Sequence, residues 1–221
     1  MFEQILFCQI NYEDFKTKVI IISANININL IDKRGNSILL QKECLENDLI
    51  AEHLLEAGAN PTLTDRYGKN FLFYTAIKGI ESEHLIDKAL STGCDINSRS
   101  KNNQTVLMEV LLAFSKLSPE EMSRRDSLFK MAKKLIKKGI DINAFDNDGE
   151  TALFIAVRAL DIESIKTLLL DPTLNIDHQN KDGDTVLSLS CMFGIKYLDV
   201  ILLLLNCGAN VNIKDKNWVI N

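Results

Sequence analysis

The stretch GANPTLTDRYGKN, Gly58 to Asn70, places dense turn chemistry directly after a run of leucines, and its skeleton returns along the chain. Gly93 opens GCDINSRSKNNQT, Gly139 opens GIDINAFDNDGET and Gly208 opens GANVNIKDKNW. In each copy Asn or Asp stands two residues on (Asn60, Asp95, Asp141, Asn210), and Asp or Ser stands seven on (Asp65, Ser100, Asp146, Asp215). Asx side chains hydrogen-bond to nearby backbone and favour tight turns, so one turn unit is being reused.

Working outward, the turn markers Gly35, Gly68, Asn103, Gly149 and Gly183 are separated by 33, 35, 46 and 34 residues. A period near that length is the signature of a repeat architecture. Just after each marker a helix start is expected, with Ser37, Asn70, Thr105, Thr151 and Thr185 placed to cap the first turn through a side-chain oxygen. Leu39, Leu72, Leu107, Leu153 and Leu187 follow these caps in constant register. A second apolar stretch then runs into Leu54-Leu55, Ala89-Leu90, Leu135-Ile136, Leu169-Leu170 and Leu204-Leu205. It stops at Gly58, Gly93, Gly139, Thr173 or Gly208, four of them the residue that reaches a left-handed helix end without a side-chain clash.

The segments DKRGNSILL, DRYGKNFLFYTAIKG, DNDGETALFIAV, NKDGDTVLSLS, LLEAGAN and LLLLNCGANVN together resemble the ankyrin repeat family. The resemblance implies an all-α fold: an α-solenoid of stacked ankyrin-type helix-turn-helix repeats with β-hairpin-like fingers. Five repeats are expected, over 32–64, 65–99, 100–145, 146–179 and 180–214. Residues 1–31 are read as an N-terminal capping helix pair, and 215–221 as a tail that begins an incomplete repeat, with Trp218 at the marker position. The sequence departs from the family pattern where Leu40, Phe73, Met108, Phe154 and Ser188 replace its His, and where Lys42-Glu43 replace two Ala.

The third repeat is long. SPEEMSRRDSLFKMAKKLIKKG offers Ser118 as a cap, Pro119 in the first helical position and Glu121 to complete a capping box, so a helix is expected from there to Lys138 with Met122, Phe129, Ala132 and Ile136 on its apolar face. Both helices of this repeat are expected to be extended by a turn or two. The second carries a basic patch of Arg124, Arg125, Lys130, Lys133, Lys134, Lys137 and Lys138. It is read either as a solvated face near a helix C-terminus or as a docking patch for an anionic partner.

Composition narrows the function. A net charge of -5 argues against general nucleic-acid affinity, and the longest apolar runs fall far short of a membrane span. Five scattered cysteines suggest neither a disulfide framework nor a zinc site, and they fit a reducing, cytoplasmic setting. His53, His84 and His178 lie in different repeats without a recurring partner. DNDGE at 146–150 lacks the first and last ligands of a calcium loop, and no phosphate-binding glycine loop is present. No catalytic residue, metal or cofactor is expected.

The family resemblance implies instead that a protein partner lies against the finger tips and inner helices. At those positions stand Lys33, Arg34, Asn36, Arg66, Tyr67, Lys69, Arg99, Lys101, Asn102, Phe145, Asn147, Lys181, Asp182 and Asp184. The inner helices add Cys44, Leu45, Ile77, Lys78, Arg158, Met192 and Phe193. Tyr67, Arg66, Phe145, Arg158 and Phe193 are the expected anchors, since aromatic and Arg residues dominate hot spots. A non-enzymatic interaction module is therefore expected. The abundance of Ile, Asn and Lys implies AT-rich codons, which resembles ankyrin proteins of intracellular bacteria, some delivered to a host cell as effectors. Two other readings stay open: the targeting region of a larger enzyme or toxin, and an adaptor to anionic membrane through the Lys-rich helix.

Overall fold

A computed structural model describes residues 27–214. The expected N-terminal helix pair, Cys8 and the tail 215–221 with Trp218 lie outside the described residues, save for 27–31. Among the described residues there are ten α-helices and no strand. They are α1 Lys42–Glu46, α2 Asp48–Glu56, α3 Phe71–Ala76, α4 Glu83–Ser91, α5 Val106–Ser115, α6 Met122–Lys137, α7 Ala152–Arg158, α8 Ile162–Leu169, α9 Val186–Met192 and α10 Leu198–Asn206. They fall into consecutive pairs, and the chain divides into two compact units at Lys101 and Asn102.

In the first unit α1 packs on α2, α3 on α4, and α2 on α4. In the second α5 packs on α6 and α7, α6 on α8, α7 on α8 and α9, and α9 on α10. The leucine register predicted from the sequence forms these cores. Leu39, Leu72, Leu107 and Leu153 are at most 1% exposed and Leu187 is 7% exposed. Burying each such side chain is worth about 1.5–3 kcal/mol, which a single short helix pair cannot collect without a neighbour.

The caps hold in part. The side chains of Asn70, Thr105 and Thr185 accept from the backbone of Leu72, Met108 and Ser188. Ser37 and Thr151 do not cap. At Ser37 the following residues form only a 3-10 turn, Ile38–Leu40, and Gln41 is extended, so α1 starts late. At this break the Gln41 side-chain amide donates to the Asp32 carboxylate at 3.1 Å. The long helix also differs from expectation. It begins at Met122 rather than at Pro119, and of the capping box only the return half forms, the Ser118 N–H donating to Glu121 Oε2 at 2.8 Å. Its buried face is Leu128, Met131, Ala132 and Leu135, so Ala132 lies where predicted, while Phe129 and Ile136 are half-buried and Met122 is 71% exposed. In this repeat α5 has 10 residues and α6 has 16, against 6 and 9 for α3 and α4.

Candidate functional site

Four fingers are closed by the same small set of hydrogen bonds. In the second finger the Asp65 N–H donates to the Lys69 carbonyl and the Gly68 N–H to the Asp65 carbonyl, both at 3.0 Å. Asp65 Oδ1 accepts from the N–H groups of Tyr67 and Lys69 at 2.8 and 2.9 Å. Asp32, Asp146 and Asn180 repeat this pattern in their own fingers. Isolated antiparallel bridges, Ile31 with Ser37 and Phe145 with Thr151, give two of the fingers their hairpin-like base.

Neighbouring fingers are joined by backbone. The Lys101 N–H donates to the Tyr67 carbonyl at 2.8 Å in the first unit. In the second unit Asn147 donates to Asn102, and Lys181 to Asp148, both at 3.0 Å. These bonds pass over the marker residue of the preceding finger. A Cβ on Gly68 would lie 2.9 Å from the Lys101 nitrogen, and one on Gly149 2.9 Å from that of Lys181. Asn103 takes the marker place with φ +60°, and its side-chain amide donates to the Phe145 carbonyl at 3.0 Å. Asn tolerates this left-handed conformation better than other side chains do.

A second ladder runs beneath the tips. Asn29 Oδ1 accepts from the Asn60 N–H at 2.7 Å while its amide donates to the Gly58 carbonyl at 3.3 Å. Asn143 treats Asn175 and Thr173 in the same way, both at 2.7 Å, and Asp177 accepts from Asn210 at 2.9 Å. From the second finger to the fifth, finger backbone is thus bonded to the neighbouring finger, while side chains such as Tyr67 and Phe145 stay exposed.

In the first unit these side chains enclose a cleft of about 310 Å³. Arg34 and Asn36 come from the first finger, and Asp65, Arg66 and Tyr67 from the second. Leu40, Leu45 and Tyr74 form its inner wall. The Arg66 guanidinium sits 4.7 Å from the Tyr67 ring centroid and donates to its hydroxyl at 2.6 Å, and the Tyr74 hydroxyl donates to Asp65 Oδ2 at 2.5 Å. Arg34, Asn36, Arg66, Tyr67 and Leu45 were legible in the sequence. Leu40 and Asp65 are read from the sequence only as repeat positions, and Tyr74 carries no sequence signal beyond its place on the inner helix near Ile77 and Lys78.

Other predicted contacts are engaged internally. Cys44 is fully buried, its thiol pushed up to about 12 by burial, so it is no surface residue. Lys78 forms an ion pair with Asp48, which also accepts from Ser82 Oγ at 2.7 Å. Burial raises the Asp48 carboxyl, but these two hydrogen bonds outweigh it and hold the group below the usual carboxylate range. Arg158 makes a forked pair with Glu150, its Nε 3.1 Å from both oxygens, which holds its proton more firmly still. Phe145, 48% exposed, stacks on His178 with centroids 5.4 Å apart, and the His178 Nε2 lies 3.0 Å from the Gly149 carbonyl oxygen. Lys33, Lys101, Asn102, Asn147, Lys181 and Asp182 are exposed on the fingers, Lys69 and Arg99 half-buried. Met192 is 72% and Phe193 36% exposed, the latter tilted against Tyr197.

Some cations of the basic helix are engaged within the protein. Arg125 turns inward over the Phe114 ring at 4.1 Å and donates to the Leu117 carbonyl. Lys130 pairs with Asp126 at 2.6 Å, and Lys133 lies over Phe129 at 5.4 Å. Arg124, Lys130, Lys133 and Lys137 are exposed, while Lys134 and Lys138 are half-buried.

Helix pairs that recur with hydrogen-bonded fingers define a repeat protein. Residues 122–215 match the family model of ankyrin repeats in three copies. The chain is similar to the nuclear factor NF-kappa-B p105 subunit of Gallus gallus, 31% identical over 69% of this chain and 14% of that one. It is also similar to an ankyrin repeat protein of Acanthamoeba polyphaga mimivirus, 25% identical over 85% of this chain and 23% of that one. The crystal structure of an ankyrin repeat domain from Acinetobacter baumannii superposes with a TM-score of 0.72 at 21% identity, covering 94% of this chain and 97% of that one. The chain therefore carries ankyrin repeats and has their fold. It spans less than a quarter of the length of the two relatives named. No helix among the described residues is long and apolar enough to cross a membrane.

Proposed function

We propose that this chain is a non-enzymatic module that holds a protein partner against its finger tips and inner helices. One observation carries the reading: the finger backbones are tied to one another, as between Tyr67 and Lys101, while Tyr67 and Phe145 remain about half exposed at the tips. Rigid aromatic side chains on a fixed backbone lose little entropy on binding, which is what an interface anchor requires. The free thiols Cys44, Cys94, Cys191 and Cys207 fit a reducing compartment, so we place the protein in the cytoplasm. An adaptor that recruits a cellular protein, the role also open to a delivered effector, is the setting this reading fits.

The test is affinity capture from cytosolic extract on the immobilised chain, set beside the variant Tyr67→Ala, Phe145→Ala. Loss of a hot-spot aromatic costs about 2 kcal/mol or more, so partners are expected to be depleted by at least about tenfold. Capture of the same proteins to within a factor of about two would overturn the assignment.

A further inference from the structure

We infer that the cleft of the first unit selects a peptide segment carrying a carboxylate side chain beside an apolar one. The inference rests on the binding reading above and deepens it by naming the ligand chemistry. Three observations lead to it.

First, the acids at the cleft are already committed. Asp65 receives two finger N–H groups and the Tyr74 hydroxyl. Asp32, behind the first finger, receives the N–H groups of Arg34 and Asn36 and the side-chain amides of Asn36 and Gln41. In each, Oδ1 accepts from finger backbone and Oδ2 from side chains, so all four oxygens already have hydrogen-bond donors.

Second, the cations are not committed. Among the described residues neither Arg34 nor Arg66 has an ion-pair partner, in contrast to Arg158, which Glu150 neutralises, and Lys78, which Asp48 neutralises. Arg66 is nevertheless held in place by the Tyr67 ring and hydroxyl. A guanidinium pre-oriented by an aromatic ring keeps its remaining N–H groups for a planar acceptor, and carboxylate is the planar anion that protein segments carry.

Third, part of the cleft's lining is apolar. Leu40 and Leu45 lie there with the Tyr74 ring, so a side chain next to the carboxylate meets hydrocarbon. The cleft thus sets two arginines against one aspartate beside hydrocarbon, and this excess of positive charge selects an acidic segment of a partner protein as the occupant.

The experiment selects a displayed library of random dodecapeptides against the whole chain and measures the enriched peptides by fluorescence anisotropy. The variants are Arg34→Gln, Arg66→Gln and, as an equal charge change elsewhere, Lys116→Gln, Lys166→Gln. The expected result is enrichment of Asp or Glu next to Leu, Ile or Phe. Affinity should fall by about tenfold or more in the arginine variant and stay within about twofold in the lysine variant. Acidic peptides that bind both variants alike would overturn the inference. So would selected peptides without acidic residues; if Tyr67→Ala still abolished their binding, the binding reading itself would stand. Peptides insensitive to every one of these changes would overturn both.

Discussion

The N–H of Lys181 donates to the carbonyl of Asp148 at 3.0 Å, directly above Gly149. Gly149 has φ +77°, and a Cβ there would meet the Lys181 nitrogen at 2.9 Å and the Asn180 Cα at 3.1 Å. Gly35 has φ +84° but nothing within 4 Å of such an atom. Gly35→Ala should therefore cost only the left-handed backbone term, about 1–2 kcal/mol. Gly149→Ala should cost clearly more, since a backbone contact must open as well. Urea denaturation of both variants gives the comparison, and equal losses would show that the finger ladder contributes no steric constraint.

Asn143 joins its finger to the next turn through two hydrogen bonds of 2.7 Å. Asn143→Ala should remove both and leave the Asn175 N–H and the Thr173 carbonyl without their partner, a loss of about 1–3 kcal/mol. Amide exchange at Asn175 should rise in step. Unchanged protection of that amide would mean that the side chain is not what holds the turn.

Thr105 and Thr151 look equivalent in the repeat, yet only Thr105 accepts from a first-turn N–H, that of Met108 at 3.3 Å. Replacing Thr105 by Ser should be tolerated and by Ala should cost about 1 kcal/mol. Thr151→Val keeps the shape and breaks no cap, so its thermal midpoint should stay near that of the parent. A Thr151→Val loss as large as that of Thr105→Ala would contradict the difference in capping.

Leu160 has φ +52° at the turn between α7 and α8, where the corresponding turns of other pairs use Gly79 and Gly194. Leu160→Gly should release about 1 kcal/mol of backbone strain and lose a similar or smaller amount of half-buried contact. The variant is expected to be neutral or slightly more stable. A loss beyond about 1 kcal/mol would show that packing by Leu160 dominates.

Asp161 is 5% exposed and caps α8 through the Ser164 N–H at 3.2 Å, while its other oxygen is buried without a partner among the described residues. Burial pushes its carboxyl up, beyond what the hydrogen bonding from Ser164 can offset. Because the folded value lies above the ordinary 3.8, the ionised group weakens the fold at neutral pH. That penalty shrinks as pH falls through the folded value and is gone below 3.8. Asp161→Asn keeps the cap and carries no charge, so it should be more stable than the parent at pH 7, with the gap closing in acid. A pH-independent difference between the two proteins would refute the desolvation cause.

The leucines two residues beyond each cap position, the turn glycines and the Asx residues made the repeat legible, because each reports a local constraint: helix periodicity, a left-handed φ, a side chain bonded within its own turn. These needed no knowledge of neighbours. The sequence also placed Arg34, Arg66, Tyr67 and Phe145 on the fingers, since their offset from a turn glycine fixes their position. It could not tell that Ser37 and Thr151 would leave their helices uncapped. Nor could it tell that the buried face of α6 would include Leu128, Met131 and Leu135, because helix rotation follows what the helix packs against. Which arginine stays available was decided by tertiary structure alone. Arg158 finds Glu150 eight residues away, and Asp65 is taken by its own finger and by Tyr74. Pairing of charges depends on distances of a few ångströms between elements, and periodicity in one dimension does not encode them.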